Sequence, residues 1–390
     1  MAHVLLANEY GDGLGHINHL RALIGPLRRA GHAVTLALGA PRRLPPLAAG
    51  LGVRVVTAPT ASVETIARLR GPPGAQLRGL ADILAWHGLG DAAVTADLLT
   101  RWSLLLDELA PDLAVCEFAP LLRIACRQRV PTLRLGTGWS VPPIVGGALP
   151  VLFPQRPERY PEARLYAHAA TWLRGAGRAP PPSLAGLVTG EADIVVALPD
   201  LDPFHVYRAY PAHGPLTRPP APQAPPRTPR WYAYLRTAAP RLPELLGALV
   251  ATGIPGSAYV HGLPPDAVAA WRARGLPLRT TPAPFPRTLA AASVLIHHGG
   301  LNTANEALAL GRPVIAMPAG LESQLTARRL VGLKIGISLA EPVEPADLAA
   351  AVRDALTLGA PAYALARQIQ RPFGLPATLA AIECLLGSTA

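Results

Sequence analysis

Short apolar runs alternate along this chain with longer segments whose apolar positions recur every three to four residues. In the first half, residues 4–7, 33–38, 53–57, 113–116, 132–135 and 194–197 read as strands, with helical stretches near 19–30 and 91–109. In the second half, residues 231–235, 257–261, 278–280, 294–297 and 314–317 read as strands. Helices intervene near 243–252, 266–274, 287–292, 303–310 and 323–331. Strands alternating with helices predict parallel sheets covered by helices on both faces, an α/β fold. Residues 211–230 carry eight prolines, a density that excludes a helix or a central strand and predicts a stiff, extended spacer. The pattern therefore reads as two doubly wound domains with a cleft between them, ligands lying beyond the carboxyl ends of the strands. Residues 1–210 form the N-terminal domain, 211–230 the linker, 231–370 the C-terminal domain and 371–390 a C-terminal helix packing back on the N-terminal domain. Residues 141–184, rich in proline and glycine, read as irregular loops and short helices over a binding cleft.

The pattern breaks most informatively at residues 293–311. An apolar run ends in His297-His298-Gly299-Gly300. An amphipathic segment opens at Thr303 and closes at Gly311 and Pro313. Strand, glycine turn and helix N-terminus in that order aim backbone N–H groups and the positive end of a helix dipole at one point. A phosphate binds well there, and His297, His298, Asn302 and Thr303 add side-chain donors. The plainer reading is a tight turn whose histidines only pack.

Composition changes the picture little. Half of the 390 residues are hydrophobic and 16% are charged, enough core for two domains. The net charge of +11 raises nucleic acid or an anionic membrane as partners. The basic residues are scattered, however, and Lys334 is the only lysine, so the excess reads as arginine-rich composition; no nucleic-acid partner is expected. Cys116, Cys126 and Cys384 lack metal-ligand or C-x-x-C spacing and read as free, buried thiols of a reducing compartment. With no signal-peptide pattern and no apolar run long enough to span a bilayer, the expected compartment is the cytoplasm.

A second candidate site follows the first strand, in Asn8-Glu9-Tyr10-Gly11-Asp12-Gly13-Leu14-Gly15-His16. A dinucleotide fold would need a third glycine where His16 stands and an acid after the second strand, where Gly39-Ala40 stand. The glycines instead place His16 at a helix N-terminus. An imidazole there can act as a general base, since the helix dipole disfavours its protonated form. Glu117 ends the strand at 113–116 and would orient His16 as the acid of a base-plus-orienter pair. Both residues have plainer readings, a helix cap and a solvated loop acid. Asp200-Leu201-Asp202 has the look of a metal-binding Asp-x-Asp, but two turn acids before a proline are common, and no metal is expected.

These residues, taken together, resemble the family 1 glycosyltransferases of the GT-B fold, in the bacterial macrolide and antibiotic branch related to plant UDP-glycosyltransferases. The Gly13-Leu14-Gly15-His16 opening, the segment 111–120 and above all His298 through Ser323 carry the likeness, which covers nearly the whole chain. It implies two Rossmann-like domains facing across a cleft. It implies inverting, metal-independent transfer of a sugar from a UDP- or dTDP-linked donor to a hydroxyl of a small-molecule acceptor, without a cofactor. His16 and Glu117 take the catalytic places. His298, Gly299, Gly300, Asn302 and Thr303 take the diphosphate site, Glu306 the ribose, and Glu322 and Ser323 the sugar hydroxyls. Arg236 and Thr237 also fall beside the donor and Phe285 beside the base, with Gly13, Gly15 and Trp139 on the acceptor side.

Three departures stand out from the family pattern. Glu117 replaces the usual Asp. Ser323 replaces a glutamine, which removes an amide able to bond two hydroxyls and favours a deoxy, N-acetyl or dTDP-linked sugar, unless Ser323 only caps the following helix. Arg236 brings bulk and charge where the family has Leu-Gly-Thr or Leu-Gly-Ser. Two alternatives accompany this reading: a GT-B-fold UDP-N-acetylhexosamine epimerase, and a catalytically degenerate nucleotide-binding member. A lipid acceptor with peripheral membrane contact is a variant motivated by Arg28, Arg29, Arg42 and Arg43. The acceptor and the oligomeric state are not readable from the residues.

Overall fold

A computed structural model describes residues 1–10, 14–39, 50–72, 76–282 and 285–388. They group into two compact units: Met1–Val196 with Val206–Tyr210 and Gly374–Ala390, and Ala197–His205 with Pro211–Phe373. The first holds a parallel sheet of β1 (His3–Asn8), β2 (Ala33–Leu38), β3 (Arg54–Thr57), β4 (Leu113–Glu117), β5 (Thr132–Gly136) and β6 (Ala192–Val195), in the order β3-β2-β1-β4-β5-β6. The second holds β7 (Trp231–Arg236), β8 (Gly256–His261), β9 (Leu278–Arg279), β10 (Val294–His297), β11 (Val314–Ala316) and β12 (Gly336–Ser338), in the order β12-β11-β10-β7-β8-β9. All pairings within the two sheets are parallel.

These orders matter for function. In each sheet the chain builds outward from one central strand, then returns to start again on that strand's other side. The reversal lies between β1 and β4 in one unit and between β7 and β10 in the other. Helices leave the sheet on opposite sides there, which opens a crevice at the carboxyl ends of the strands.

The central strands are largely apolar because both faces are covered; Val4, Leu5, Leu6 and Ala7 of β1 are each fully buried. In the second unit Leu246, Ile296 and Leu348 have no exposed surface and pack with Trp231 and Trp271. Burying one such leucine or isoleucine stabilises the fold by about 1.5–3 kcal/mol. Gly311 closes the Leu301–Leu310 helix in the left-handed region, at φ 81°. A Cβ there would lie 2.8 Å from the Cα of Tyr363, so glycine is required twice over.

Several elements differ from the sequence expectation. The first helix runs Leu14–Arg29, a turn earlier than the apolar period suggests, so His16 lies inside its first turn. The helix after the glycine turn begins at Leu301, because Gly300 is its N-cap, which puts Asn302 and Thr303 in the first turn. The region 141–184 contains a regular helix, Glu162–Gly175, that buries Leu165, Ala169, Ala170 and Leu173. The short strand β12 follows Lys334, which carries a positive φ, and has no apolar run to announce it. Cys116 and Cys126 are buried, but Cys384 is exposed, because its position on the Gly374–Gly387 helix faces away from that helix's contacts with the first unit.

The proline-rich segment 211–230 has neither helix nor strand and lies along the second unit. Arg312, with no exposed surface, fastens it: Nη1 donates to the carbonyl of Gln223 at 2.7 Å and Nη2 to that of Ala224 at 3.2 Å. The same guanidinium donates to the carbonyls of Leu289 and Ala290. Among the described residues no helix is long and apolar enough to cross a membrane.

Candidate functional site

In the first unit the chemistry gathers at the reversal between β1 and β4. Their register pairs Ala7 with Cys116, so the next residues, Asn8 and Glu117, emerge side by side at the carboxyl end. Glu117 is completely buried. Its Oε1 lies 2.7 Å from His16 Nδ1 and 3.3 Å from His19 Nδ1. Its Oε2 accepts from Asn8 Nδ2 at 2.7 Å, and the same amide donates to the Glu117 carbonyl at 2.9 Å. Burial pushes the carboxyl's pKa up, but the His16 charge and the hydrogen bonds from His16 and His19 outweigh it, and the net value falls to about 2. Glu117 is therefore an ionised acceptor at neutral pH. An ionised carboxylate only accepts, so each ring donates to it from Nδ1.

The residues beside the dyad hold it in place. Glu9 points to the other face of β1 from Asn8. Its oxygens accept from the backbone N–H of Leu121 at 3.1 Å and of Leu122 at 2.7 Å, at the start of the Pro120–Cys126 helix. Burial still raises the Glu9 pKa to about 8. Phe118 takes a positive φ of 44° immediately after Glu117, an uncommon conformation for a bulky residue that turns the chain sharply there. Its ring meets Tyr10 edge-on at 5.3 Å, and Tyr10 in turn lies against His16 at 5.5 Å and His87 at 5.3 Å. His87 belongs to a one-turn π-helix, Ala85–Leu89, and its Nε2 is buried without a hydrogen-bond partner. Burial, assisted by the Arg70 charge, lowers its pKa to about 4.

His16 Nδ1, His19 Nδ1 and Glu117 Oε1 lie within 4.8 Å of one another and form the one group with metal-ligand donors among the described residues. Their separations of 2.7 and 3.3 Å are those of hydrogen bonds.

In the second unit the matching reversal lies between β7 and β10. His297 pairs with Tyr234, and His298 follows at the strand end. His297 is fully buried and structural: its Nδ1 accepts from the N–H of Gly299 at 3.2 Å. Gly299 has φ 80°, and a Cβ there would come within 2.9 Å of the Ser323 carbonyl oxygen. The turn can thus be tight only with glycine. His298 Nδ1 is buried with no hydrogen-bond partner, and burial, together with the Arg236 charge, lowers the ring's pKa to about 4. A neutral imidazole therefore precedes the N-terminus of the Leu301–Leu310 helix, whose first-turn N–H groups have no intrahelical acceptor, and Arg236 ends the neighbouring strand β7. Glu306, two turns into that helix, has Oε2 buried without a partner, and burial raises its pKa to about 7.

Ser323 is already engaged. Its Oγ accepts from the N–H of Gly320 at 3.1 Å and donates to the Gly320 carbonyl at 2.8 Å, capping the Leu321–Gly332 helix. Glu322 starts the same helix, partly exposed. Thr237 continues β7 beyond Arg236, its N–H donating to the His261 carbonyl. Phe285 lies edge-on to Tyr234 at 5.4 Å, and Tyr234 stacks on Tyr259 at 5.7 Å and 11°. Tyr234 also touches His298, at 5.7 Å.

Not every sequence candidate joins these groups. Gly15 lies in the first turn of the Leu14–Arg29 helix, while Trp139 is buried in the turn after β5. Gly13, Arg42 and Arg43 lie outside the described residues. Asp202 Oδ1 accepts from the N–H of Phe204, the main-chain carbonyl of Asp200 accepts from Arg329 Nε, and both acids' charges act on Arg329. Five residues at the sites escaped the sequence reading. His19 had a signal, since it stands three residues after His16 and so shares its helix face. Asn8 and Glu9 are polar residues ending a buried strand. The Tyr234–Tyr259 stack joins two strands, which no local spacing reveals.

No protein-family model matches the chain. It is 33% identical over 189 residues to a zeaxanthin glucosyltransferase of Pseudescherichia vulneris, a match covering 45% of each protein. The chain thus spans less than half the length of that relative. Among solved structures, the calicheamicin glycosyltransferase CalG4 superimposes with a TM-score of 0.72 at 22% identity, covering 100% of this chain and 99% of that one. The glycosyltransferase VinC in complex with dTDP gives 0.66 at 18% identity, covering 99% and 100%. The fold is GT-B, each unit a Rossmann-like half.

Proposed function

We propose that this protein is an inverting, metal-independent glycosyltransferase that moves a sugar from a UDP- or dTDP-linked donor to a hydroxyl of a small-molecule acceptor. The observation that carries the reading is the buried 2.7 Å contact between His16 and an ionised Glu117. An imidazole held by a carboxylate on one nitrogen presents a base on the other. The similarity to a zeaxanthin glucosyltransferase and the dTDP complex of VinC support the substrate classes.

In the proposed reaction His16 Nε2 takes the proton of the acceptor hydroxyl as its oxygen bonds to the anomeric carbon. The bond from that carbon to the diphosphate oxygen breaks on the opposite face, its electron pair leaves with the nucleoside diphosphate, and the configuration inverts. Glu117 stabilises the imidazolium that forms. His298, Arg236 and the helix N-terminus at Leu301–Thr303 receive the charge that builds on the leaving group, the role that metal ions play elsewhere. Glu306 accepts from the ribose hydroxyls. Tyr10, His87 and Phe118 border the base on the acceptor side. The buried free thiols fit a cytoplasmic enzyme.

The test is incubation with a panel of UDP- and dTDP-sugars and hydroxylated acceptors, with and without EDTA. The anomeric configuration of the product is read by NMR. An inverted product formed equally well in EDTA is expected. A retained configuration or loss of activity in EDTA overturns the mechanism. Sugar epimerisation without an acceptor would favour the epimerase alternative.

A further inference from the structure

The second unit has a cavity of about 480 Å³ at the end of its sheet opposite His298. It lies where β7, β8 and β9 begin and where the Phe285–Ala290 helix ends, so it is separate from the crevice at the carboxyl ends. Its polar lining is Arg230, Tyr232, Ser257, Arg279, Arg287 and Thr288, and the rest of the wall is apolar.

The charge balance is one-sided. Residues 227–287 hold eight arginines against two acids, Glu244 and Asp266, and neither acid lines the cavity. Glu244 faces Arg241 instead. None of the three lining arginines has a carboxylate partner among the described residues. Guanidiniums sharing one concave wall repel one another, and folding alone gives no reason to gather them. A second observation is independent of the charges. The hydroxyl of Tyr232, a residue only 1% exposed, is buried without a hydrogen-bond partner. Burial raises this phenol's pKa to about 12, the Arg279 charge opposes that rise, and both residues line the cavity. An unpaired buried hydroxyl and three unpaired guanidiniums in one wall are together what a ligand with several anionic oxygens satisfies.

We propose that this cavity binds a phosphate group, held by Arg230, Arg279 and Arg287 with a hydrogen bond from Tyr232, as a site separate from the proposed nucleotide-sugar site. Three forked donors match the oxygens of a phosphate better than the two of a single carboxylate. The phosphate comes from a soluble phosphate ester or from a lipid headgroup.

The test titrates the full chain with inorganic pyrophosphate by calorimetry and, separately, sediments it with vesicles of equal parts phosphatidylcholine and phosphatidylglycerol. Wild type, Arg279→Gln/Arg287→Gln, Tyr232→Phe and His298→Ala are compared. The expected result is binding that weakens about tenfold or more in the double variant, a few-fold in Tyr232→Phe, and persists in His298→Ala. Pyrophosphate binding assigns a soluble ligand; vesicle binding alone, lost in the double variant, assigns a headgroup. The proposal is overturned if neither probe binds wild type, if the double variant binds like wild type, or if only His298→Ala loses binding. Both arginines are exposed, so the double variant should keep the wild-type melting point; Arg230→Gln serves as a second variant if it does not.

Discussion

Two glutamates show how differently the two reversal points are built. Glu117, between β1 and β4, has both carboxylate oxygens occupied by Asn8, His16 and His19, and its pKa falls to about 2 although it is fully buried. Glu306, in the helix after β10, is also largely buried but has an oxygen with no partner, and its pKa rises to about 7. Burial acts on both in the same direction; hydrogen bonds and charge decide the sign. The first site is complete within its own unit. The second has open positions at His298 Nδ1 and Glu306 Oε2, a cost that a ligand would relieve. The contrast fits a base that must be ready before substrate arrives and a site whose polar groups are completed by a nucleotide.

That comparison can be broken most directly at the dyad. His16→Ala is expected to lower kcat by about 10²–10⁴-fold with nucleotide binding unchanged, checked by steady-state kinetics and calorimetry. If acceptor glycosylation continues at the wild-type rate, His16 is not the base. The next largest effect is expected at His298→Ala, with kcat lower by about 10²–10³-fold, because a donor to the leaving group is lost. A change confined to KM would show that His298 binds the ground state alone.

Glu306 sharpens the comparison through pH. Its folded pKa, about 7, lies above the ordinary carboxyl value of 4.5, so the folded protein holds the proton until pH passes 7. Ribose hydroxyls donate to the ionised form, so binding releases a proton below that point. Nucleoside diphosphate affinity should therefore rise with pH up to about 7 and level off above it, and Glu306→Gln should bind about tenfold more weakly without that rise. Calorimetry in buffers of different ionisation enthalpy reads the proton directly; affinity independent of pH in wild type would remove Glu306 from the ribose. The smallest effect is expected at Ser323→Gln. It restores an amide and removes a helix cap, so donor-sugar selectivity should shift by less than about tenfold and stability should fall by about 1 kcal/mol. Ratios of kcat/KM for paired donors, with a thermal melt, measure both.

The central strands were legible because a sheet covered on both faces demands apolar runs, and the strands among the described residues include every run read as one. The glycine turn was legible for a similar reason, since φ 80° at Gly299 and the packing of Ser323 against it admit no side chain. Helix starts were less so. Gly300 caps three residues before Thr303, and the Leu14–Arg29 helix begins before its apolar period does, because a first turn need not face the core. Asn8 and His19 illustrate the limit at the site: one helix-face neighbour was within reach of spacing, but the amide arrives from a strand 109 residues away in sequence.

The chain's own residues determined that there would be two parallel sheets, a histidine at the start of the first helix and a histidine-glycine turn before a later one, because periodicity, proline and glycine act through local geometry. Only tertiary structure decided what those residues became. The order of strands put Asn8 beside Glu117, and packing buried that carboxylate between two imidazoles. Packing also left Glu306 without a partner and committed the Ser323 hydroxyl to a helix cap. Hydrogen-bond partners and desolvation set charge and proton affinity, and both depend on what the fold brings across from distant strands.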